Sequence, residues 1–383
     1  MKDGNMFDDI RPYRDSEIPA AMHRIAESAF FPLMASYIFP DRDLESVREM
    51  IKSIRTTDQF QAKVMYYMNT QVIKRTISKF TYGGLENVSP AKGYLFIANH
   101  RDIVLDSSLL QYLLFTNGHR TSEITFGANL MHNRLIVDIG KSNKMFRLER
   151  PGNNIREFYR SSAHVSEYMR EAVCKRNSSV WIAQRNGRTK DGMDITDQGV
   201  IKMLGMSGGD DKIDAMDELR ITPVAISYEW EPCDILKTLE LYEKRHTGQY
   251  LKKPGEDINS ILTGFIQQKG AVHIEICKPV SREELEEYAP LTRSDFNRAV
   301  ASLIDRRIHA AYRLAPNNYI AHDLRYGKSE FAGKYTPEQK LKFERHLARL
   351  RNYEQNCDIE ILADILTGIY SNPIDYISKT ERV

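Results

Sequence analysis

The segment FIANHRDIVLD, residues 96–106, places ionisable side chains where an apolar strand gives way to a helix. His100 follows the strand directly, and an imidazole can take a proton from a hydroxyl when a carboxylate fixes its ring tautomer. Asp102 or Asp106 could supply that carboxylate, although Asp102 could equally pair with Arg101. The alternative is an ordinary turn in which Asp106 caps the helix through backbone N–H groups.

A second group of polar residues follows the predicted strand SVWIAQ, residues 179–184. Arg185, Arg188 and Lys190 surround Gly187 in the loop that leaves this strand. A guanidinium can bind a phosphate through two N–H donors, and an ammonium binds it as a point charge. The loop therefore predicts a phosphate site, with a solvated basic turn as the alternative.

A third cationic segment is GKSNKMFRLERPGN, residues 140–153, in which Arg147 and Arg150 lie near a strand end. Strand alternation places Arg147 and Glu149 on the same face. These two residues could therefore be a surface ion pair instead of a binding site.

Strands and helices alternate through the centre of the chain, which predicts an α/β fold with a mixed, mostly parallel sheet covered by helices. In such sheets active sites lie in loops that leave the carboxyl ends of strands, and this rule selects residues 99–106, 150–153 and 185–192. The predicted strands are 94–98, 123–128, 144–149, 179–184, 221–228 and 271–278.

The flanking segments have helical patterns. We predict an N-terminal helical region over residues 1–88, an α/β core over 89–280 and a C-terminal helical extension over 281–383, packed on the core. Residues 59–80 read as one helix, because Phe60, Val64, Met68 and Val72 recur at four-residue spacing.

Composition excludes several classes of protein. The chain has 42% hydrophobic and 28% charged residues, with 54 Lys and Arg against 52 Asp and Glu, which is typical of a globular protein without a charge-defined partner. Four widely spaced cysteines indicate reduced thiols and argue against a disulfide framework or a zinc site. The polar start predicts no signal peptide, and the most apolar run, residues 30–39, is too short to span a bilayer.

The order of the motifs resembles the glycerolipid acyltransferase superfamily, which includes glycerol-3-phosphate and lysophosphatidate acyltransferases. Block I of that family reads N-H-x4-D, and NHRDIVLD supplies Asn99, His100 and Asp106, with five residues instead of four before the aspartate. Block II ends in an arginine, matched by Arg147 or Arg150. The resemblance covers about residues 94–230.

The remaining blocks are also matched in order. Block III reads P-E-G-T-R-S, and QRNGRTK places Arg185, Gly187 and Arg188 there, with Asn186 where the family has glutamate. Block IV is a proline-containing strand, matched by Pro223 in ITPVAI.

The resemblance implies acyl transfer from acyl-CoA or an acyl carrier protein to a hydroxyl of a glycerol-phosphate-type or other anionic lipid acceptor. It implies His100 as general base and Asp106 as the orienting acid, with Asp102 still open in that role. Neither a metal nor a further cofactor is required. The predicted substrate-binding set is Arg101, Arg147, Arg150, Arg185, Asn186, Gly187, Arg188 and Lys190.

The amphiphilic substrates predict a cytoplasmic protein that sits peripherally on the inner face of the membrane. Residues 30–39 and 64–68 are candidates to contact lipid or cover the acyl chain, and a helical bundle packed on the core is the alternative. A non-catalytic anionic lipid or acyl-carrier binding protein would use the same basic loops, with Asn186 as its support. We expect no nucleic acid partner, because RNGRTKDGMD has no aromatic residue among its cations.

Overall fold

A seven-stranded sheet forms the centre of the computed structural model, which describes residues 6–131, 133–149 and 154–380. Neighbouring strands are parallel except β6 and β7, so the predicted mixed, mostly parallel α/β fold is confirmed. In spatial order the strands are β1 (Ile77–Gly83), β7 (Gly270–Ile276), β6 (Ile221–Tyr228), β2 (Leu95–Ala98), β5 (Val180–Ala183), β3 (Glu123–Gly127) and β4 (Met145–Leu148).

The central strands are apolar along their whole length because helices cover both faces of the sheet. Every residue of β2 and β6 is buried. One face packs against helices α5 (Tyr66–Thr76) and α6 (Leu105–Thr116). The other face packs against α8 (Ile155–Arg170), α9 (Gln198–Leu204), α10 (Lys212–Asp217), α13 (Arg282–Glu286) and α14 (Arg293–Ala311).

The predicted helix over residues 59–80 is wrong at its end, so the N-terminal region is not entirely helical. Helix α5 stops at Thr76, and residues 77–83 form β1, which pairs in parallel with β7 at the edge of the sheet. The sequence ISKFTYG is rich in β-branched and aromatic residues, which favour strands. The partner strand β7 lies almost two hundred residues further along the chain. The helix over residues 59–80 was therefore predicted from the four-residue spacing before β1 alone.

Residues before β1 form a helical bundle. Phe31, Ala35 and Phe39 pack inside it against neighbouring helices, which is the packing alternative for the apolar run 30–39. The bundle contains α1 (Ile18–Ala26), α2 (Phe31–Ile38), α3 (Leu44–Lys52) and α4 (Thr57–Phe60). Helix α4 continues into α5 through the π-helical turn Gln61–Met65. Helix α7 (Arg134–Ser142) packs against α1.

The described residues after 280 are mostly helical, and they pack on the core. Ile304 and Ile308 of α14 belong to the core beneath the sheet, and the Ser281 side chain caps the start of α13. A second apolar cluster around Trp230 joins α11 (Asp234–Thr247) to α15 (Pro316–Tyr326), α16 (Pro337–Leu347) and α17 (Ile359–Thr380). The remaining helix is α12 (Glu256–Ile266). Within the described residues, none of the helices is both long and apolar enough to cross a bilayer.

Candidate active site

His100 and Asp106 meet at the carboxyl end of β2. The chain leaves Ala98, turns, and enters α6 at Leu105, which brings His100 Nδ1 to 2.9 Å from Asp106 Oδ2. The additional residue in the spacing does not separate the two side chains, because residues 101–104 form a turn outside the helix. The other ring nitrogen, Nε2, has no hydrogen-bond partner within the described ranges, and His100 borders a cavity.

Asp106 is fixed by three further donors. Its Oδ2 accepts hydrogen bonds from the backbone N–H groups of Arg101 (2.6 Å) and Asp102 (2.9 Å), and its Oδ1 accepts one from the Tyr228 hydroxyl (2.8 Å). Burial, together with the charge of Asp106, raises the pKa of Tyr228 well above its usual range, so the phenol stays a donor. This carboxylate favours the histidine tautomer protonated at Nδ1, which leaves Nε2 as the acceptor.

Asp102 has the capping role that the sequence left open for Asp106. Its Oδ1 accepts hydrogen bonds from the backbone N–H groups of Val104 (2.9 Å) and Leu105 (2.8 Å) at the start of α6. No bond joins it to the His100 ring among the described contacts. In the structure Asp106, and not Asp102, contacts the imidazole.

Arg101 does not line the cavity, in contrast to its predicted place among the substrate-binding residues. Its side chain is buried and donates to both oxygens of Asp194, to Glu231 Oε2 (3.1 Å) and to the Gly192 carbonyl (3.2 Å). These carboxylates hold the pKa of the guanidinium well above its usual range despite burial. Arg101 is therefore part of the scaffold, because every direction of its guanidinium is taken by protein groups.

A cavity of about 690 Å³ opens in front of His100. The Trp181 ring packs edge-on against the imidazole, with 5.7 Å between ring centroids, and forms part of the same wall. The apolar part of the wall comes from β3, β4, α8, α9 and the turn after α9, and it includes Ile124, Phe126, Met145, Phe158, Met203 and Met206. Such a wall suits a hydrocarbon chain.

The loop after β5 supplies the polar part of the cavity wall. Arg185, Asn186, Gly187, Arg188 and Lys190 all border the cavity, as their predicted binding role requires. Gly187 has φ 74°, a left-handed conformation that glycine adopts at no steric cost. The neighbouring Thr189 N–H donates to the His100 carbonyl at 2.7 Å, which fixes the loop relative to the histidine.

The cations of this loop differ in their partners. Arg185 forms no ion pair or hydrogen bond with the residues that the structure describes, whereas Arg188 donates to Ser260 Oγ at 3.3 Å. Lys190 contacts Glu240, which favours its charged form. Burial and the charges of Arg188 and Lys252 act in the opposite sense and lower the pKa of Lys190 to about 8.

Sequence reasoning missed three further lysines of the cavity wall. Lys202 comes from α9, Lys244 from α11 and Lys252 from the segment before α12. Lys252 pairs with Asp257, while Lys202 and Lys244 have no side-chain partner among the described residues. No local pattern marks these lysines, because only the tertiary fold brings them to one wall.

The arginine predicted to bind substrate at the end of β4 lies away from the cavity. Arg147 pairs with Glu149 at 2.6 Å and does not border the cavity, which matches the surface-pair alternative. Arg150 lies outside the described residues.

The C-terminal helix α17 packs against the loop after β5. Asn372 of α17 donates to the Asp191 carbonyl at 2.7 Å. Gly192 has φ 79°, and a Cβ there would lie 2.2 Å from the Ile369 carbonyl oxygen, so only glycine fits this contact. The loop therefore has its position set from two sides, by His100 and by α17.

One known protein family matches the segment that contains the His100–Asp106 pair. The family described as Acyltransferase matches residues 79–226. Residues 79–226 are therefore similar to acyltransferase domains. The matched segment contains most of β1, all of β2 to β5 and most of β6. It includes both the His100–Asp106 pair and the cationic loop, so the family resemblance drawn from the motifs is confirmed over this segment.

Solved structures similar to this chain include a bacterial enzyme. The chain is similar to the crystal structure of the 1-acyl-sn-glycerophosphate (LPA) acyltransferase PlsC from Thermotoga maritima, with a TM-score of 0.39 and 12% sequence identity. The alignment covers 76% of this chain and 94% of that chain. No curated protein sequence matches the chain.

Proposed function

We propose that the acyltransferase domain moves a fatty acyl group from a thioester to a hydroxyl of an anionic, glycerol-phosphate-type acceptor. The observation that carries this proposal is the 2.9 Å contact between His100 and Asp106, beside a cavity that is apolar on one side and cationic on another. The apolar wall suits an acyl chain, and the cations suit a phosphate.

His100 would act as general base through its free nitrogen. Nε2 takes the proton of the acceptor hydroxyl as the hydroxyl oxygen attacks the thioester carbonyl carbon, and Asp106 stabilises the imidazolium that forms. The tetrahedral intermediate then expels the thiolate, which receives the proton from the imidazolium. The new ester bond replaces the thioester bond, and His100 returns to its starting state.

Two features of the loop after β5 support this mechanism. Backbone N–H groups near Gly187 are the candidates to stabilise the oxyanion, because this loop is held against His100 through Thr189. Arg185, Arg188 and Lys190 are the candidates to bind the phosphate of the acceptor. Lys202 and Lys244 extend the cationic wall beyond one phosphate, which suits the additional phosphates of a CoA donor or the phosphopantetheine of an acyl carrier protein.

The test is thioester consumption, measured with acyl-CoA and with acyl carrier protein as donor. Glycerol 3-phosphate and lysophosphatidate are offered as acceptors, and no metal is added. We expect His100→Ala to abolish acyl transfer, while His23→Ala, which changes an exposed histidine of α1, leaves it unchanged. Full activity of the His100→Ala variant would refute the proposal.

A second candidate function rests on Asn186, which stands at the cavity where the family has a glutamate. A non-catalytic protein that binds anionic lipid or an acyl carrier would need the cavity and its cations but not the base. This alternative predicts that the wild-type protein binds acyl-CoA without consuming any thioester, and that His100→Ala binds it equally well.

A further inference from the structure

Helix α12 exposes a stripe of large apolar side chains. Ile258, Leu262 and Ile266 are 48%, 55% and 68% exposed, and they recur at every fourth position on one face of the helix. Leu251, just before the helix, is 70% exposed. Single exposed apolar residues are ordinary, but an aligned group of four on one helix and the segment before it marks an interaction surface.

The opposite face of α12 covers the active site. Ser260 accepts a hydrogen bond from the Arg188 guanidinium at 3.3 Å. A Cβ at Gly264 would lie 2.3 Å from Asp102 Oδ2, so the helix backbone packs directly on the turn that carries His100. One helix thus separates the catalytic corner from the exposed stripe.

The stripe continues onto the N-terminal bundle. The Tyr37 hydroxyl of α2 donates to the Phe265 carbonyl of α12, and the two rings lie 6.4 Å apart. Phe30 and Leu33 precede Tyr37 by two turns and one turn on the same side of the chain, and both are well exposed. The two apolar stripes therefore meet at the Tyr37–Phe265 contact.

Basic side chains lie at one end of this apolar surface and at its centre. Lys252 and Lys253 are exposed beside Leu251, and the exposed Arg75 guanidinium lies 4.5 Å from the centre of the Tyr37 ring. Glu256 and Asp257, the acidic residues in the first turn of α12, are half-buried and bound to Tyr250 and Lys252, and Glu27 near Phe30 pairs with Lys52. An apolar surface with basic borders is complementary to the acyl boundary and headgroups of an anionic bilayer.

We propose that this surface, made of the exposed faces of α12 and α2 and their basic borders, docks the protein on an anionic lipid bilayer with the cavity mouth at the membrane. Lys252 and Asp257 belong both to this surface and to the cavity wall, so the surface is continuous with the site. The inference rests on the proposed function in one respect, because it takes the substrates to be amphiphiles that reach the site from the bilayer.

The test is co-sedimentation with vesicles, measured without substrates. The wild-type protein is expected to bind vesicles that contain phosphatidylglycerol more tightly than vesicles of phosphatidylcholine alone. Leu262→Asn with Ile266→Asn should weaken binding about tenfold or more, because two large apolar side chains no longer enter the interface. The matched control, Leu291→Asn with Leu341→Asn, removes two exposed leucines elsewhere and should change binding less than about twofold.

Charge is tested separately with Arg75→Glu and Lys253→Glu, which should remove the preference for anionic vesicles. Equal binding by wild type and L262N/I266N would overturn the proposal. So would equal loss in the control, or a dimer of the wild-type protein that L262N/I266N dissociates, since a second copy would then be the occupant.

A soluble assay separates this inference from the proposed function. With a short-chain acyl-CoA, glycerol 3-phosphate and no vesicles, L262N/I266N should retain wild-type turnover. Loss of vesicle binding with retained turnover supports the docking surface. Absence of wild-type turnover with both donors and both acceptors of the thioester assay refutes the proposed function and leaves the vesicle result standing by itself.

Discussion

Arg101 and Arg185 follow neighbouring parallel strands, β2 and β5, yet their surroundings are opposite. Arg101 is buried, and Asp194, Glu231 and a backbone carbonyl take its donors. Arg185 borders the cavity and has no partner among the residues that the structure describes. Identical side chains at equivalent strand ends therefore differ in their surroundings: the donors of Arg101 are bound by protein groups, whereas those of Arg185 are open to the cavity.

The difference teaches where an arginine can serve a ligand. A buried guanidinium requires compensating carboxylates, and once these are present no donor remains for a substrate. An arginine at the cavity wall keeps its donors available because solvent replaces the carboxylates. The sequence signal, a cation shortly after a strand, is the same in both cases.

The largest effect on kcat is expected at Asp106, the buried carboxylate that contacts His100 at the cavity wall. Asp106→Asn should lower kcat about a thousandfold or more, because the amide no longer selects the productive histidine tautomer. Asp102→Asn is the matched control, since Asp102 caps α6 without contacting the imidazole, and its kcat should fall far less. Equal losses in kcat for the two variants would contradict the assignment of Asp106.

Arg101→Ala tests the scaffold half of the comparison. Removal of the guanidinium leaves Asp194 and Glu231 buried without their partner, which should lower the free energy of unfolding by about 3–5 kcal/mol. Arg185→Ala should change it by less than about 0.5 kcal/mol. Urea denaturation of both variants measures the two values, and similar stabilities would remove the distinction between the two arginines.

Arg185→Ala tests the binding half. Loss of a charge-assisted contact to the acceptor phosphate should raise its KM about ten- to a hundredfold, with kcat less affected. Arg147→Ala is the matched control, because Arg147 pairs with Glu149 away from the cavity. An unchanged KM in the Arg185 variant would exclude it from the phosphate site.

Lys190 should have a smaller, pH-dependent effect on the KM for the anionic acceptor. Its pKa of about 8 means that the ammonium is charged at pH 7 and mostly neutral at pH 9. Affinity for an anionic acceptor should therefore fall as the pH rises, by at most about tenfold over this interval. In Lys190→Gln the same pH series of KM should lose this component, while a fall that persists in the variant would assign it to another group.

The fold was largely predictable from local patterns. Each predicted strand is present with its ends within two residues, because buried parallel strands are continuous apolar runs between turns. Strand β1 was missed since it follows helix α5 without a break and is defined by its pairing with β7. A strand of this kind depends on a partner distant in sequence.

The site was predictable only where its parts are close in the chain. The turn after β2 and the loop after β5 each combine catalytic-type residues within a few positions, so His100, Asp106 and Arg185 were identified. Lys202 and Lys244 escaped notice because they lie on separate helices with ordinary charged neighbours. Arg101 was predicted to bind substrate, whereas its side chain is buried against Asp194 and Glu231, which are far away in sequence.

The contact of α17 with the loop at Gly192 has a consequence for synthesis of the protein. Ile369 and Asn372 come nearly two hundred residues after the loop that they hold. The sheet and the His100–Asp106 pair can form on the ribosome before these residues have been translated, but the cationic loop cannot be fixed until they emerge. We therefore expect nascent chains that end before residue 369 to lack activity even when their sheet is folded.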